Sequence, residues 1–140
     1  MNHAVTIVMI EDDDGHARLI EKNIVRAGVK NPILHFPTGR AGLDYLMQHP
    51  HSMGSLLVLL DLNLPDMTGL DILQALKADD ALKKVPVIIL TTTDDKREIE
   101  RCYQLGCSVY ITKPVEYEQF AHAIRQLGLF FSVIQVPETP

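Results

Sequence analysis

The chain has 140 residues, 46% hydrophobic and 22% charged, enough for one domain with a real core and too short for a comfortable second. A formal net charge of −5 without a Lys/Arg cluster argues against nucleic-acid binding through phosphates. No segment approaches the roughly 20 apolar residues of a membrane span, and "MNHAVTIVMIEDDD" lacks a basic n-region, so neither membrane nor signal peptide is expected and the location reads as cytoplasmic.

The first apolar run, "VTIVMI" (Val5 to Ile10), reads as a strand and ends on contiguous acids, Glu11 to Asp14. A helical stripe follows at Leu19, Ile20, Ile24 and Ala27, with Asp13 or Asp14 placed to cap its start and Gly28 its end. "NPILHF" (Asn31 to Phe36) is a weaker strand, and Ala41, Gly42, Tyr45 and Leu46 make the next helical stripe. His49 and His51, in "QHPHS", read as solvated loop residues, and no histidine has the partners of a catalytic triad.

"LLVLL" (Leu56 to Leu60) is a strand that delivers Asp61 to a loop containing a Pro-Asp turn and Gly69. Leu70, Leu73 and Leu76 then share a helical face. "VPVIIL" (Val85 to Leu90) runs into Thr91, Thr92 and Thr93, and a mostly polar helix carrying Ile99 and Cys102 stops at Gly106. "SVYI" (Ser108 to Ile111) leads to Thr112, Lys113 and Pro114, and Phe120, Ile124 and Leu127 mark a last helix. Cys102 and Cys107 are expected to be reduced packing residues. The division expected is a domain over 1–128 and an apolar extension over 129–140, with Phe130, Phe131, Val133, Ile134 and Val136 needing cover.

Nearly continuous apolar strands are covered on both faces, and strand alternates with helix five times. The economical solution is an open, doubly wound parallel sheet. Ligands of such sheets bind outside the carboxyl ends of the strands. That edge would gather Glu11, Asp12, Asp61, Thr91 to Thr93 and Lys113. Clustered carboxylates repel and resist desolvation unless a cation joins them. Hard oxygen ligands that leave room for water suit Mg²⁺, with Mn²⁺ as a substitute. Lys113 and Thr91 add a point charge and a hydroxyl able to clamp phosphate oxygens. These residues together point to phosphoryl chemistry, with Asp61 able to form an acyl phosphate.

"MIEDD", "LLDLNLPDMTG", "ILTTT" and "YITKP", in that order and spacing, resemble the receiver domain of two-component response regulators. The resemblance implies a flavodoxin-like (βα)5 fold with strand order 2-1-3-4-5. It implies Asp61 as phosphoacceptor, Asp12 as a direct metal ligand, Glu11 as a ligand through water, and the Asn63 main-chain carbonyl completing the metal site. It further implies Lys113 as partner of the phosphoryl group, Thr91 and Tyr110 as the switch pair, and Pro114 as the cis residue that shapes the lysine's loop. The activity implied is self-catalysed phosphotransfer and autodephosphorylation rather than enzymatic turnover. "LLDLNLP", "VPVIILTTT" and the aromatic-bearing tail look similar to single-domain regulators that partner phytochrome histidine kinases. A kinase of that type and a homodimer built on the tail are therefore the partners expected. Glu11 stands where many relatives have Asp, and Thr92 where a smaller residue is frequent; Asn63 and Thr93 flank the site and would tune access of water. The competing readings are a Mg²⁺-dependent phosphohydrolase with an aspartyl-phosphate intermediate and a degenerate scaffold. The first usually needs an aspartate where Asn63 stands; the second fits poorly with a full set of site residues.

Overall fold

The computed structural model describes residues 5–48, 56–113 and 116–130. The strands are β1 (Thr6–Ile10), β2 (Ile33–Phe36), β3 (Leu56–Leu60), β4 (Val87–Thr91) and β5 (Val109–Thr112). They alternate with helices α1 (Asp14–Arg26), α2 (Gly39–Gln48), α3 (Gly69–Ala78), α4 (Lys96–Leu105) and α5 (Tyr117–Phe130). All five strands are parallel, in the order β2-β1-β3-β4-β5, which is the flavodoxin-like receiver topology the sequence implied. The direction of winding reverses between β1 and β3, so a crevice opens at their carboxyl ends.

The central strands are hydrophobic because both of their faces are covered. Every residue of β1, β3 and β4 is buried, whereas edge strand β2 is half-buried throughout. Alternate residues serve opposite layers, as the two-residue strand period requires. Ile7, Met9, Leu57, Leu59, Ile88 and Leu90 meet Ala17, Ile20 and Ile24 of α1 and Phe120 of α5. Val8, Ile10, Val58, Leu60 and Ile89 meet Leu46 of α2, Ile72 and Leu73 of α3 and Cys102 of α4.

Helix ends follow from local chemistry. Asp13 caps α1, its carboxylate accepting the His16 N–H at 2.9 Å, and so decides between the two acids expected there. Thr68 and Asp95 cap α3 and α4 in the same way. Gly106 ends α4 at φ 102°, a left-handed conformation that glycine adopts without steric cost. The stripe on α1 is displaced from its expected position. Leu19 is 43% exposed, while Ala17, Ile20, Asn23 and Ile24 are buried, because Leu19 lies one residue, about 100° of helix rotation, from Ile20. β4 begins at Val87 rather than Val85, since Pro86 has no N–H to give the ladder and offers only its carbonyl, to Val58 N at 3.0 Å. Cys102 and Cys107 are free and buried, as expected of packing residues. Pro114, His49, His51 and residues 131–140 lie outside the described residues.

Candidate functional site

The ladder hydrogen bonds run one residue past the strands and fix the site's backbone. Glu11 N donates to Phe36 O at 3.0 Å, Asp61 N to Ile10 O at 3.0 Å, and Lys113 N to Thr91 O at 2.7 Å. Glu11, Asp61 and Lys113 are thereby held in register at the ends of β1, β3 and β5, around Thr91 at the end of β4. Glu11 is 1% exposed, Asp61 5% and Thr91 fully buried, while Asp12 faces solvent.

Glu11, Asp12 and Asp61 each present a carboxylate oxygen, and these oxygens lie within 4.8 Å of one another. Lys113 Nζ enters the same space, 2.5 Å from Glu11 Oε1 and 3.3 Å from Asp61 Oδ2. Its third contact is His16 Nδ1, at 3.0 Å. Burial pushes the Glu11 carboxyl above its ordinary value; the bonds from Lys113 and from Asp13 N oppose this, and the nearby Asp61 charge adds to it. The donor set is all oxygen, carries several negative charges and opens to water at Asp12. It fits a hard divalent ion of the Mg²⁺ or Mn²⁺ kind, with room left for water or a phosphate oxygen.

A second group of contacts leads away from Asp61. Asn63 N donates to Asp61 Oδ1 at 3.1 Å, and Asn63 Nδ2 to Thr91 Oγ1 at 3.3 Å. Thr93 N also reaches Thr91 Oγ1, at 3.5 Å, and the Tyr110 hydroxyl donates to Thr93 O at 2.6 Å. Tyr110 N in turn donates to the Tyr103 hydroxyl on α4, at 3.2 Å. Burial, then the nearby acids beginning with Glu98, raise the pKa of the half-buried Tyr110 phenol. An unbroken set of hydrogen bonds thus links the acid at the end of β3 to the outer surface of α4.

The loop after Asp61 is closed on itself. Gly69 N donates to Leu62 O at 2.9 Å, and Asn63 bridges to Thr68. A Cβ on Gly69 would stand 2.5 Å from Asp61 O and 2.7 Å from Leu62 Cα, so only glycine lets α3 start this close to the acid. Asp66, at the tip of the loop, reaches the start of α2, where its two carboxylate oxygens accept Gly39 N and Arg40 N, each at 2.8 Å. Those two N–H groups hold the Asp66 carboxyl below its usual range, Arg40 N first.

Glu11, Asp12, Asp61, Thr91, Asn63 and Lys113 therefore meet at one edge, and Tyr110 joins them through Thr93. Thr92 is exposed beside them. Sequence reasoning missed two neighbours. The "PD" of the turn pointed to Asp66, but its partners lie 26 and 27 residues earlier in the chain. His16 lies close in sequence to the acid run, but its contact with Lys113 spans 97 residues and only the fold creates it.

Comparison with known proteins agrees with this architecture. The sequence profile of the response regulator receiver domain matches residues 7–125. A response regulator receiver domain from Rhodospirillum rubrum is 66% identical, with a TM-score of 0.78, over 96% of this chain and 99% of that one. The bacteriophytochrome response regulator RtBRR is 32% identical, with a TM-score of 0.80, over 96% of this chain and 84% of that one. The phosphorylated cyanobacterial phytochrome response regulator RcpA is 27% identical, with a TM-score of 0.73, over 96% and 99%. With the profile spanning most of its length and the acids, threonine and lysine gathered at one sheet edge, the chain belongs to the response regulator receiver domain family.

Proposed function

We propose that the protein accepts a phosphoryl group on Asp61 from a histidine kinase, of phytochrome type, and relays the change as altered protein contacts. The observation that carries this reading is Asp61 itself, a nearly buried carboxylate at the end of β3 with Lys113 Nζ at 3.3 Å and two further acids beside it. In the transfer, an Asp61 carboxylate oxygen bonds to phosphorus as the donor's P–N bond breaks, and the departing imidazole keeps the electron pair and takes a proton from water. A divalent ion, when bound, supplies charge neutralisation for the transferring oxygens. Asp12, Asp61, the Asn63 carbonyl and, through water, Glu11 would hold it. Lys113, whose Nζ is 3.3 Å from Asp61 Oδ2, would donate to the new phosphoryl oxygens. The phytochrome partnership is supported by the similarity to RtBRR and RcpA.

Phosphorylation adds roughly −1.5 to −2 charges and strong acceptor oxygens. The Thr91 hydroxyl, now shared by Asn63 Nδ2 and Thr93 N, has its own proton to offer such an oxygen. Turning toward it releases those two donors, and Thr93 O is the group that anchors Tyr110. The switch therefore reads out on the β4–α4 loop and β5. We place the protein in the cytoplasm as a homodimer built on the apolar tail; among the described residues no helix is long and apolar enough to cross a membrane. Size exclusion with light scattering checks the dimer: truncation after Leu127 should weaken it, and an unchanged monomer with and without the tail rules it out.

Incubation with Mg²⁺ and acetyl phosphate, followed by intact mass, tests the central claim. One acid-stable, base-labile adduct is expected, absent in Asp61→Asn and in EDTA. Rapid turnover of phosphate monoesters would favour a phosphohydrolase instead. Asn63 argues against that, because its side-chain amide does not ionise near neutral pH, so it cannot serve as a general acid or base, and it acts here as a donor to Thr91.

A further inference from the structure

We infer that His16 is a positioning residue for phosphoryl transfer, holding the Lys113 ammonium through the lone pair on its Nδ1. The inference rests on the receiver reading above and adds a group to which that reading gives no part.

The ammonium has three N–H donors, and three acceptors surround it: Glu11 Oε1 at 2.5 Å, Asp61 Oδ2 at 3.3 Å and His16 Nδ1 at 3.0 Å. Two are charged and come from the sheet. The third is an imidazole nitrogen and comes from the first turn of α1. An ammonium has no lone pair, so the contact needs an imidazole whose proton sits on Nε2. The cap sets this geometry. Asp13 Oδ1 takes His16 N at 2.9 Å, which fixes the backbone from which the ring projects, while Asp13 Oδ2 stays 3.9 Å from Nδ1. Among the described residues, the groups facing the ring are Asp13 on its own turn and Lys113 from the end of β5, with Glu11 and Asp61 behind the lysine.

The choice of a neutral third acceptor has a chemical consequence. A third carboxylate would over-neutralise the ammonium before any phosphoryl group arrives. A bare solvent contact would leave its direction free. The imidazole satisfies the last N–H and keeps the positive charge for the transferring oxygens. When Asp61 is modified, one lysine donor passes to a phosphoryl oxygen while His16 and Glu11 still fix Nζ from the other side. The His16 side chain is 45% exposed and takes no part in the core, so its replacement should leave the fold intact.

Two measurements test this. The first is ¹⁵N NMR of the metal-free protein at a pH where the imidazole is neutral. The Nε2–H tautomer of His16 should dominate, and Lys113→Met should relax that preference; a dominant Nδ1–H tautomer in the wild type overturns the inference. The second is Asp61 phosphorylation by acetyl phosphate with Mg²⁺. His16→Ala and His16→Leu should each lower the rate at saturating donor about three- to tenfold, the scale of one lost hydrogen bond of ordinary strength. Half-saturation should change less, because the lysine keeps its charge and its two carboxylate bonds. His16→Gln, which restores an acceptor, should recover most of the loss. Wild-type rates in Ala and Leu, or a Gln variant as slow as Ala, refute the positioning role. No adduct in the wild type would instead defeat the receiver reading, and the tautomer would still report on the lysine contact.

Discussion

Lys113 carries the charge balance of a site that holds two nearly buried carboxylates. Its side chain is 6% exposed and that of Glu11 2%, so removing the ammonium leaves charge with little water to solvate it. Lys113→Ala should cost about 3 kcal/mol in metal-free buffer at pH 7, read from urea denaturation. The loss should shrink as pH falls. Glu11 already sits above its ordinary pKa because of burial, and once protonated it needs no counter-charge. Added Mg²⁺ should restore part of the stability, since a divalent ion can take over the neutralising role. The two thiols illustrate the opposite case, burial without function. Burial pushes Cys102 to about 11 and Cys107 to about 12, so neither forms thiolate near neutrality. A disulfide reagent at pH 8 should leave both untouched in the native protein and modify both in urea.

Between elements, the loop from Asp61 to Gly69 is the part most constrained by its neighbours. Gly69→Ala would drive a Cβ against two backbone atoms, which cannot rotate away as a side chain can. It should destabilise the fold by about 1–3 kcal/mol and slow phosphorylation of Asp61 in the same variant, the second effect showing that the acid has moved. Asp66 ties this loop to α2, and the tie depends on its charge. Its folded-state pKa is depressed, so its contribution is present above the unfolded value of 3.8 and disappears as pH falls through the lower folded value. Asp66→Ala should therefore have a lower Tm than wild type at pH 6, with the gap closing in strong acid. This coupling was invisible in the sequence, although the loop was not. Strands and helices could be read because a continuous apolar run and a 3.6-residue period are local signals, and Glu11, Asp12, Asp61, Thr91 and Lys113 could be read because each stands within two residues of the end of an apolar run. Asp66 and His16 are joined to partners by long-range geometry, which no local pattern encodes. Leu19 shows the finer limit: an apolar residue beside a stripe was taken as part of it, and only packing assigns the hundred-degree difference.

At the scale of the whole molecule, binding and folding are coupled through the strand ends. A ligand that binds only the assembled edge stabilises the fold by mass action, roughly 2.7 kcal/mol at a hundredfold excess over Kd. Mg²⁺ should accordingly raise Tm by several degrees in a concentration-dependent way. Asp12→Asn should remove most of that rise and leave the metal-free Tm nearly unchanged, because Asp12 is exposed and lies outside both layers of the core. The ladder bonds that extend past β1, β3 and β5 explain why sheet and site should melt as one unit.

The ammonium at position 113 pairs with acids from positions 11 and 61, so the groups of the reaction are gathered from the beginning, middle and end of the domain. A growing polypeptide exposes its nucleophilic acid well before the basic residue that completes it has been synthesised. A chain that stops before β5 should therefore leave the acids of β1 and β3 without the ammonium that pairs with them.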